Sequence, residues 1–223
     1  PHEGHIMLKL YYAPGACSFV PHVALEMIKA ATGEAFETQI VKLHKGENNA
    51  PDYLALNPEG QVPVLIVDGK PLTQVIAICD YLNRRYPQLG LMPAGPAVQS
   101  AAVSLLAWMN NTVHPTFTHV FLPHKFTDDD ATKAELKRYN LLQYRGLLER
   151  LSGIVEKADP YLFGATVSVV DIYAALFLRW GGLAGVNPTD YPKYKAYVDR
   201  IGALPAVVAA LERERMPLHT YKG

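Results

Sequence analysis

Cys17 is the residue of this 223-residue chain best placed to do chemistry. It follows a short alternating apolar stretch and the turn residues Pro14 and Gly15, where a first helix is expected to begin. Free N–H groups and partial positive charge at a helix N-terminus favour a thiolate over a thiol. Ser18 beside it is able to donate a further hydrogen bond. A small buried hydrophobe is the competing reading, since most free cysteines are just that. Positions 14 and 20 are not cysteine, which disfavours a dithiol mechanism.

Two other stretches carry recognition chemistry. In Asn57-Pro-Glu-Gly60-Gln-Val-Pro63 a proline stands at the head of an apolar run, a position suited to a cis peptide. A cis Val62–Pro63 bond would turn the backbone of Val62 outward, able to grip a peptide as an added strand does. A plain loop leading into a strand is the alternative. Thr73-Gln74-Val75 opens a later helix, whose N–H groups suit a carboxylate, while Gln74 suits an amino or amide group. The alternative there is a capping Thr73 and a solvated Gln74. His114, His119 and His124 are five apart, which spreads them around a helix and makes no metal-ligand face; no metal is expected.

These residues need elements to hold them. Leu8, Leu10 and Tyr12 alternate with Lys9 and Tyr11 as a strand does. Phe19, Val20, Val23, Ala24, Met27 and Ile28 form a helical stripe, with Pro21 about one turn in, where its missing N–H matters least. Phe36 to Val41 reads as a strand. Val62 to Val67 reads as a strand buried on both faces, and Asp68-Gly69 as a hairpin turn into a short strand ending near Leu72. Thr73 is expected to cap a helix bearing Val75, Cys79, Leu82 and Tyr86 on one buried face. This βαβ-then-ββα order is that of a thioredoxin-like domain over 7–86. A Pro/Gly-rich linker over 87–96 leads to an all-helical domain over 97–223. There Asp128-Asp129-Asp130 introduces a long helix, and Ser168-Val-Val-Asp171 is a capping-box variant with Val167 and Ile172 as its staple. The helix it opens is apolar nearly all round, which sets it at the centre of a bundle. Residues 1–6 read as an expression scar ahead of a natural start at Met7.

Composition excludes several functions. Hydrophobic residues make up 49% and charged residues 19%, the balance of a compact globular protein. Lys plus Arg equals Asp plus Glu at 21 each, so no net field favours nucleic acid or an anionic membrane. No apolar stretch is long enough to span a bilayer. Two distant cysteines make no disulfide framework, which fits a reducing cytoplasm.

Taken in order, Tyr12-Ala-Pro-Gly-Ala-Cys17-Ser18, Asn57-Pro-Glu-Gly-Gln-Val-Pro63, Leu72-Thr-Gln-Val-Ile-Ala77-Ile78 and Ser168-Val-Val-Asp171 resemble the cytosolic glutathione transferases. The first motif resembles their bacterial beta class. The resemblance implies glutathione as co-substrate, a homodimer and small apolar electrophiles as second substrates. It implies that Cys17 meets the glutathione sulfur and that Val62, ahead of a cis Pro63, pairs with the cysteinyl backbone. Gln74 and Val75 would hold the γ-glutamyl end, and Lys45 the glycine carboxylate. Asn111 and His114, in Trp108-Met-Asn-Asn-Thr-Val-His114, resemble the helical wall that approaches the sulfur. Two residues depart from the pattern. Val75 lacks a hydroxyl that commonly binds the γ-glutamyl carboxylate, and Pro115 stands where beta-class relatives often carry Lys. The expected activity is conjugation of glutathione to electrophiles, or thiol transfer and peroxide reduction through Cys17. A protein that keeps the fold for binding alone is the other reading.

Overall fold

The computed structural model describes residues 7–223; the expected scar at 1–6 lies outside them. The chain packs as two compact units, one of residues up to Met92 with Leu204–Met216, the other of Pro93–Ala203 with Pro217–Gly223.

The first unit is built on a four-stranded sheet of order β2-β1-β3-β4. Strands β1 (Leu8–Tyr12) and β2 (Phe36–Ile40) pair in parallel, joined by helix α1 (Phe19–Thr32). Strands β3 (Val64–Val67) and β4 (Lys70–Thr73) run antiparallel to their neighbours. Asp68 and Gly69 turn between them with φ of 49° and 76°, the positive values a tight two-residue hairpin requires. Helix α2 (Pro51–Leu56) precedes β3, and α3 (Val75–Arg85) follows β4. The thioredoxin-like order βαβ-ββα is therefore present.

Three local expectations change. Val64 and Leu65 are fully buried, but Ile66 and Val67 are only half-buried, because they pair with the exposed hairpin end of β4. Thr73 ends β4 and does not cap α3, whose N-cap is Gln74. Ladder pairing of Thr73 with Val64 extends the strand one residue further than the helix signal suggested. The Pro/Gly-rich stretch begins with a 3-10 turn at Pro87–Leu89, and its Leu91 and Met92 are buried. Cys79 is 1% exposed on the inward face of α3, with Val75, Ile78 and Leu82, and burial pushes its thiol pKa well up.

The second unit is helical: α4 (Pro96–Trp108), α5 (His114–Phe121), α6 (Asp130–Val155), α7 (Val169–Leu183) and α8 (Pro192–Gly202). A single π-helical turn, Met109–Val113, joins α4 to α5. Asp129 caps α6 by accepting the Thr132 N–H at 2.7 Å. Helix α7 is buried along nearly its whole length, as its all-round apolar character requires. The final helix, α9 (Pro205–Glu214), groups with the first unit rather than with the helical domain expected over 97–223, and packs on α1.

The last residues return to α7. Lys222 N–H donates to the Gly182 carbonyl at 3.0 Å, and a Cβ on Gly182 would collide with the Thr220 carbonyl oxygen. Gly182→Ala is therefore expected to expel the segment after Pro217 from its seat. Faster amide exchange at Thr220–Lys222, with exchange in α8 unchanged, is the expected result; retained protection of the tail would contradict it.

Candidate functional site

Register brings the first unit's chemistry to one end of its sheet. Tyr11 pairs with Val64, Val64 with Thr73, and Tyr12 with Ile40. The turn after β1, the segment before β3, the start of α3 and the loop after β2 all leave the sheet at that end. Cys17, Val62–Pro63, Gln74–Val75 and Lys45 lie on these four segments.

The turn after β1 is tightly organised. Ala16 N–H donates to the Ala13 carbonyl, Phe19 N–H to Ala16, and Val20 N–H to Cys17. Helix α1 thus starts two residues beyond Cys17, with Ser18 as N-cap. Ser18 is wholly buried, and its hydroxyl accepts the Ala13 N–H and donates to the Ala13 carbonyl, both at 3.2 Å. Its one proton is directed at the backbone, so Ser18 shapes the turn and does not serve as the donor expected beside the thiol. Cys17 is 9% exposed, and its Sγ donates to the Val62 carbonyl at 3.5 Å.

The Val62–Pro63 bond is cis, as the motif predicted. The loop before it is held by side chains. Tyr53 Oη and Asn57 Nδ2 both donate to the Gln61 carbonyl, at 2.7 and 2.8 Å, and Asn48 Nδ2 donates to Gly60 at 3.0 Å. Gly60 has φ of 60°, and a Cβ there would sit 3.0 Å from the Asn48 carbonyl, so the position suits only glycine. Burial, followed by the neighbouring Tyr11 and Cys17, raises the pKa of Tyr53, which keeps its hydroxyl a donor.

Gln74 is exposed with φ of 74° and ψ of 120°, a conformation uncommon for a side-chain-bearing residue. No side chain caps α3, so its first N–H groups remain available to a carboxylate. Val75 is buried, offering backbone only. Lys45 is exposed in the 3-10 turn Leu43–Lys45.

Sequence reasoning missed what lies beneath the Cys17 turn. Glu214, at the end of α9, accepts the Gly15 N–H at 2.9 Å and meets His22 Nδ1 at 2.7 Å. Arg213 pairs with Glu26 at 2.9 Å. No local pattern links Gly15 to a residue 199 positions away. Asn111 and His114 belong to the second unit, Asn111 exposed and accepting from the Thr112 hydroxyl at 2.7 Å. His114 Nδ1 lies 2.7 Å from Tyr173 Oη, and its ring packs on Trp180 with centroids 4.8 Å apart. Burial, with Lys125 adding to it, lowers the His114 pKa from 6.5 to about 4, so the imidazole is neutral at pH 7. Among the described residues no group of His, Cys, Asp or Glu is placed to hold a metal ion.

A thioredoxin-like sheet and a following helical domain, with a cysteine turn hydrogen-bonded to a cis-proline segment, define the class of fold. Residues 7–84 match the family model for the glutathione S-transferase N-terminal domain, and 107–205 that for its C-terminal domain. A glutathione S-transferase of Xanthomonas campestris is 32% identical, with 93% of this chain and 98% of that protein covered. A glutathione transferase homologue from Sulfitobacter, solved with bound glutathione, superposes with a TM-score of 0.85 at 25% identity, covering 93% of this chain and 98% of that one. The beta-class enzyme of Sphingomonas chungbukensis is 32% identical with a TM-score of 0.80, covering 94% of this chain and 100% of its own. The chain belongs to the glutathione transferase family.

Proposed function

We propose that this protein is a glutathione-dependent enzyme of the beta type whose main chemistry is thiol transfer through Cys17. The observation that carries the reading is Cys17 Sγ at 3.5 Å from the Val62 carbonyl, beside a cis Pro63. A glutathione cysteinyl backbone laid against Val62 would carry its sulfur to this turn. The γ-glutamyl carboxylate goes to the uncapped start of α3, with Gln74 on the amino group. Lys45 takes the glycine carboxylate. Asn111 and His114 serve the same reaction from the helical domain.

Cys17 gives its proton to solvent, and its thiolate attacks one sulfur of oxidised glutathione. The S–S bond breaks, a Cys17–glutathione disulfide forms, and one glutathione leaves as thiolate, taking a proton from solvent. A second glutathione thiolate then attacks the mixed disulfide at the glutathione sulfur and restores Cys17. Conjugation of glutathione to small apolar electrophiles is the secondary activity. The reading includes a cytoplasmic homodimer, supported by reducing-compartment cysteine usage and by Phe121, Phe126, Tyr139 and Leu142, each about half exposed on the helical unit.

Retention on immobilised glutathione, eluted by free glutathione, is the expected result. Treatment with oxidised glutathione should add one glutathionyl group, mapped to Cys17 by mass spectrometry. A protein that is neither retained nor modified would be a binding protein on the same fold, with Val75 the departure that removed the ligand.

A further inference from the structure

Tyr53 lies in α2, and Asn57, one turn on, is the residue that ends it. Both reach the Gln61 carbonyl, Tyr53 Oη at 2.7 Å and Asn57 Nδ2 at 2.8 Å. A carbonyl oxygen has two lone pairs, and here each meets a donor. Tyr53 is buried with Val41 and Val64, and its ring stands edge-on to Tyr11 with centroids 5.9 Å apart. Burial raises its pKa, so the hydroxyl keeps the proton it donates. Asn57 is buried too, and its Oδ1 accepts the Glu59 N–H at 3.1 Å. That bond fixes the amide with its nitrogen towards Gln61.

These two bonds orient more than one oxygen. The Gln61–Val62 bond is trans, since the cis bonds among the described residues are Val62–Pro63 and Asp159–Pro160. In a trans peptide the C=O and the following N–H point to opposite sides of one rigid plane. Holding the Gln61 oxygen against α2 therefore turns the Val62 N–H away from α2. That N–H donates to no group among the described residues. The Val62 side chain packs on the same apolar cluster as Tyr53, which holds the residue from its other end. We propose that Tyr53 and Asn57 are positioning residues that aim the Val62 N–H at a carbonyl of the bound thiol, and so select thiols of peptide type. The inference rests on the reading that glutathione lies against Val62.

Val62 offers one donor and one acceptor, as a strand edge does. A cysteinyl residue answers with its own N–H and C=O. The Val62 carbonyl belongs to the next peptide plane and meets Cys17 Sγ at 3.5 Å. Only the N–H half of the pair therefore depends on the bonds to Gln61. A thiol such as γ-glutamylcysteamine keeps the amide N–H and the sulfur but ends without the cysteinyl carbonyl. It has nothing to accept the Val62 N–H, whichever way that plane faces. Its affinity should be indifferent to Tyr53 and Asn57, while that of glutathione should depend on both.

The test is calorimetric titration of wild type, Tyr53→Phe and Asn57→Ser with glutathione and with γ-glutamylcysteamine. Tyr53→Phe keeps the ring that packs on Tyr11, and the serine hydroxyl of Asn57→Ser can still accept the Glu59 N–H. Each variant should weaken glutathione binding about three- to tenfold, the worth of one hydrogen bond. Binding of γ-glutamylcysteamine should stay within about twofold of wild type. In ligand-free Tyr53→Phe the carbonyl carbon-13 signal of Gln61 should move upfield, as a carbonyl that loses a donor does. Equal losses for both thiols would make the two residues general supports of the loop and overturn the proposal. A moved Gln61 signal with unchanged glutathione affinity would overturn it as well. A wild type that binds glutathione, with variants that show no split between the thiols, defeats this inference alone. A wild type that binds neither thiol defeats the functional reading and this inference with it.

Discussion

Cys17→Ala is expected to lose thiol-transfer activity with oxidised glutathione by more than about a hundredfold, as removal of a nucleophile does. No second thiol stands in reserve, because Cys79 is buried with a strongly raised pKa. Conjugation should fall less, since glutathione supplies its own sulfur and the Val62 backbone, the start of α3 and His114 remain. The Ser18 hydroxyl cannot substitute, being held on both sides by Ala13. Parallel assays of the two activities on wild type and Cys17→Ala check this, with circular dichroism as the fold control. A variant with full thiol transfer would remove Cys17 from the mechanism. Equal losses in both activities would instead assign Cys17 to glutathione binding.

The second large effect is expected at Asp171. Its carboxylate, wholly buried, accepts from Ser168 N–H and Ser168 Oγ at 2.8 and 2.9 Å. It also accepts from Leu162 N–H at 2.8 Å and Tyr197 Oη at 2.5 Å. One side chain thus joins the start of α7, the loop before it and helix α8. Asp171→Ala leaves these donors buried without an acceptor, a loss of about 3–5 kcal/mol. For a chain of this size that lowers Tm by roughly 6–20 °C. Asp171→Asn keeps one acceptor oxygen and should lose less. Thermal unfolding of both variants gives the measurement, and an Asp171→Ala protein within about 2 °C of wild type would refute the assignment.

Much of the local structure was written in short spacings. The stripe from Phe19 to Ile28 marked α1, Asp68-Gly69 the hairpin, Asp128-Asp129-Asp130 the start of α6, and Ser168 with Asp171 the start of α7. Each depends on contacts within four residues or on a backbone angle set by one residue type, so a linear pattern records it. Thr73 misled because a polar residue before an apolar stripe signals a cap, whereas pairing with Val64 kept it in the strand. The motif order from Cys17 to Asp171 identified the family for the same local reason: each motif is a turn or a helix start.

Tertiary structure alone decided the rest. Glu214 meets Gly15 and His22 across 199 and 192 positions. Ser18 turns to Ala13, α9 joins the first unit, and Tyr173 reaches both His114 and Asn110. A buried polar group must find a partner wherever the folded chain brings one, and that partner is chosen by packing. The sequence by itself determined the family and named candidate residues for glutathione. Folding determined which of their protons and lone pairs are already committed within the chain, because that depends on neighbours no spacing records.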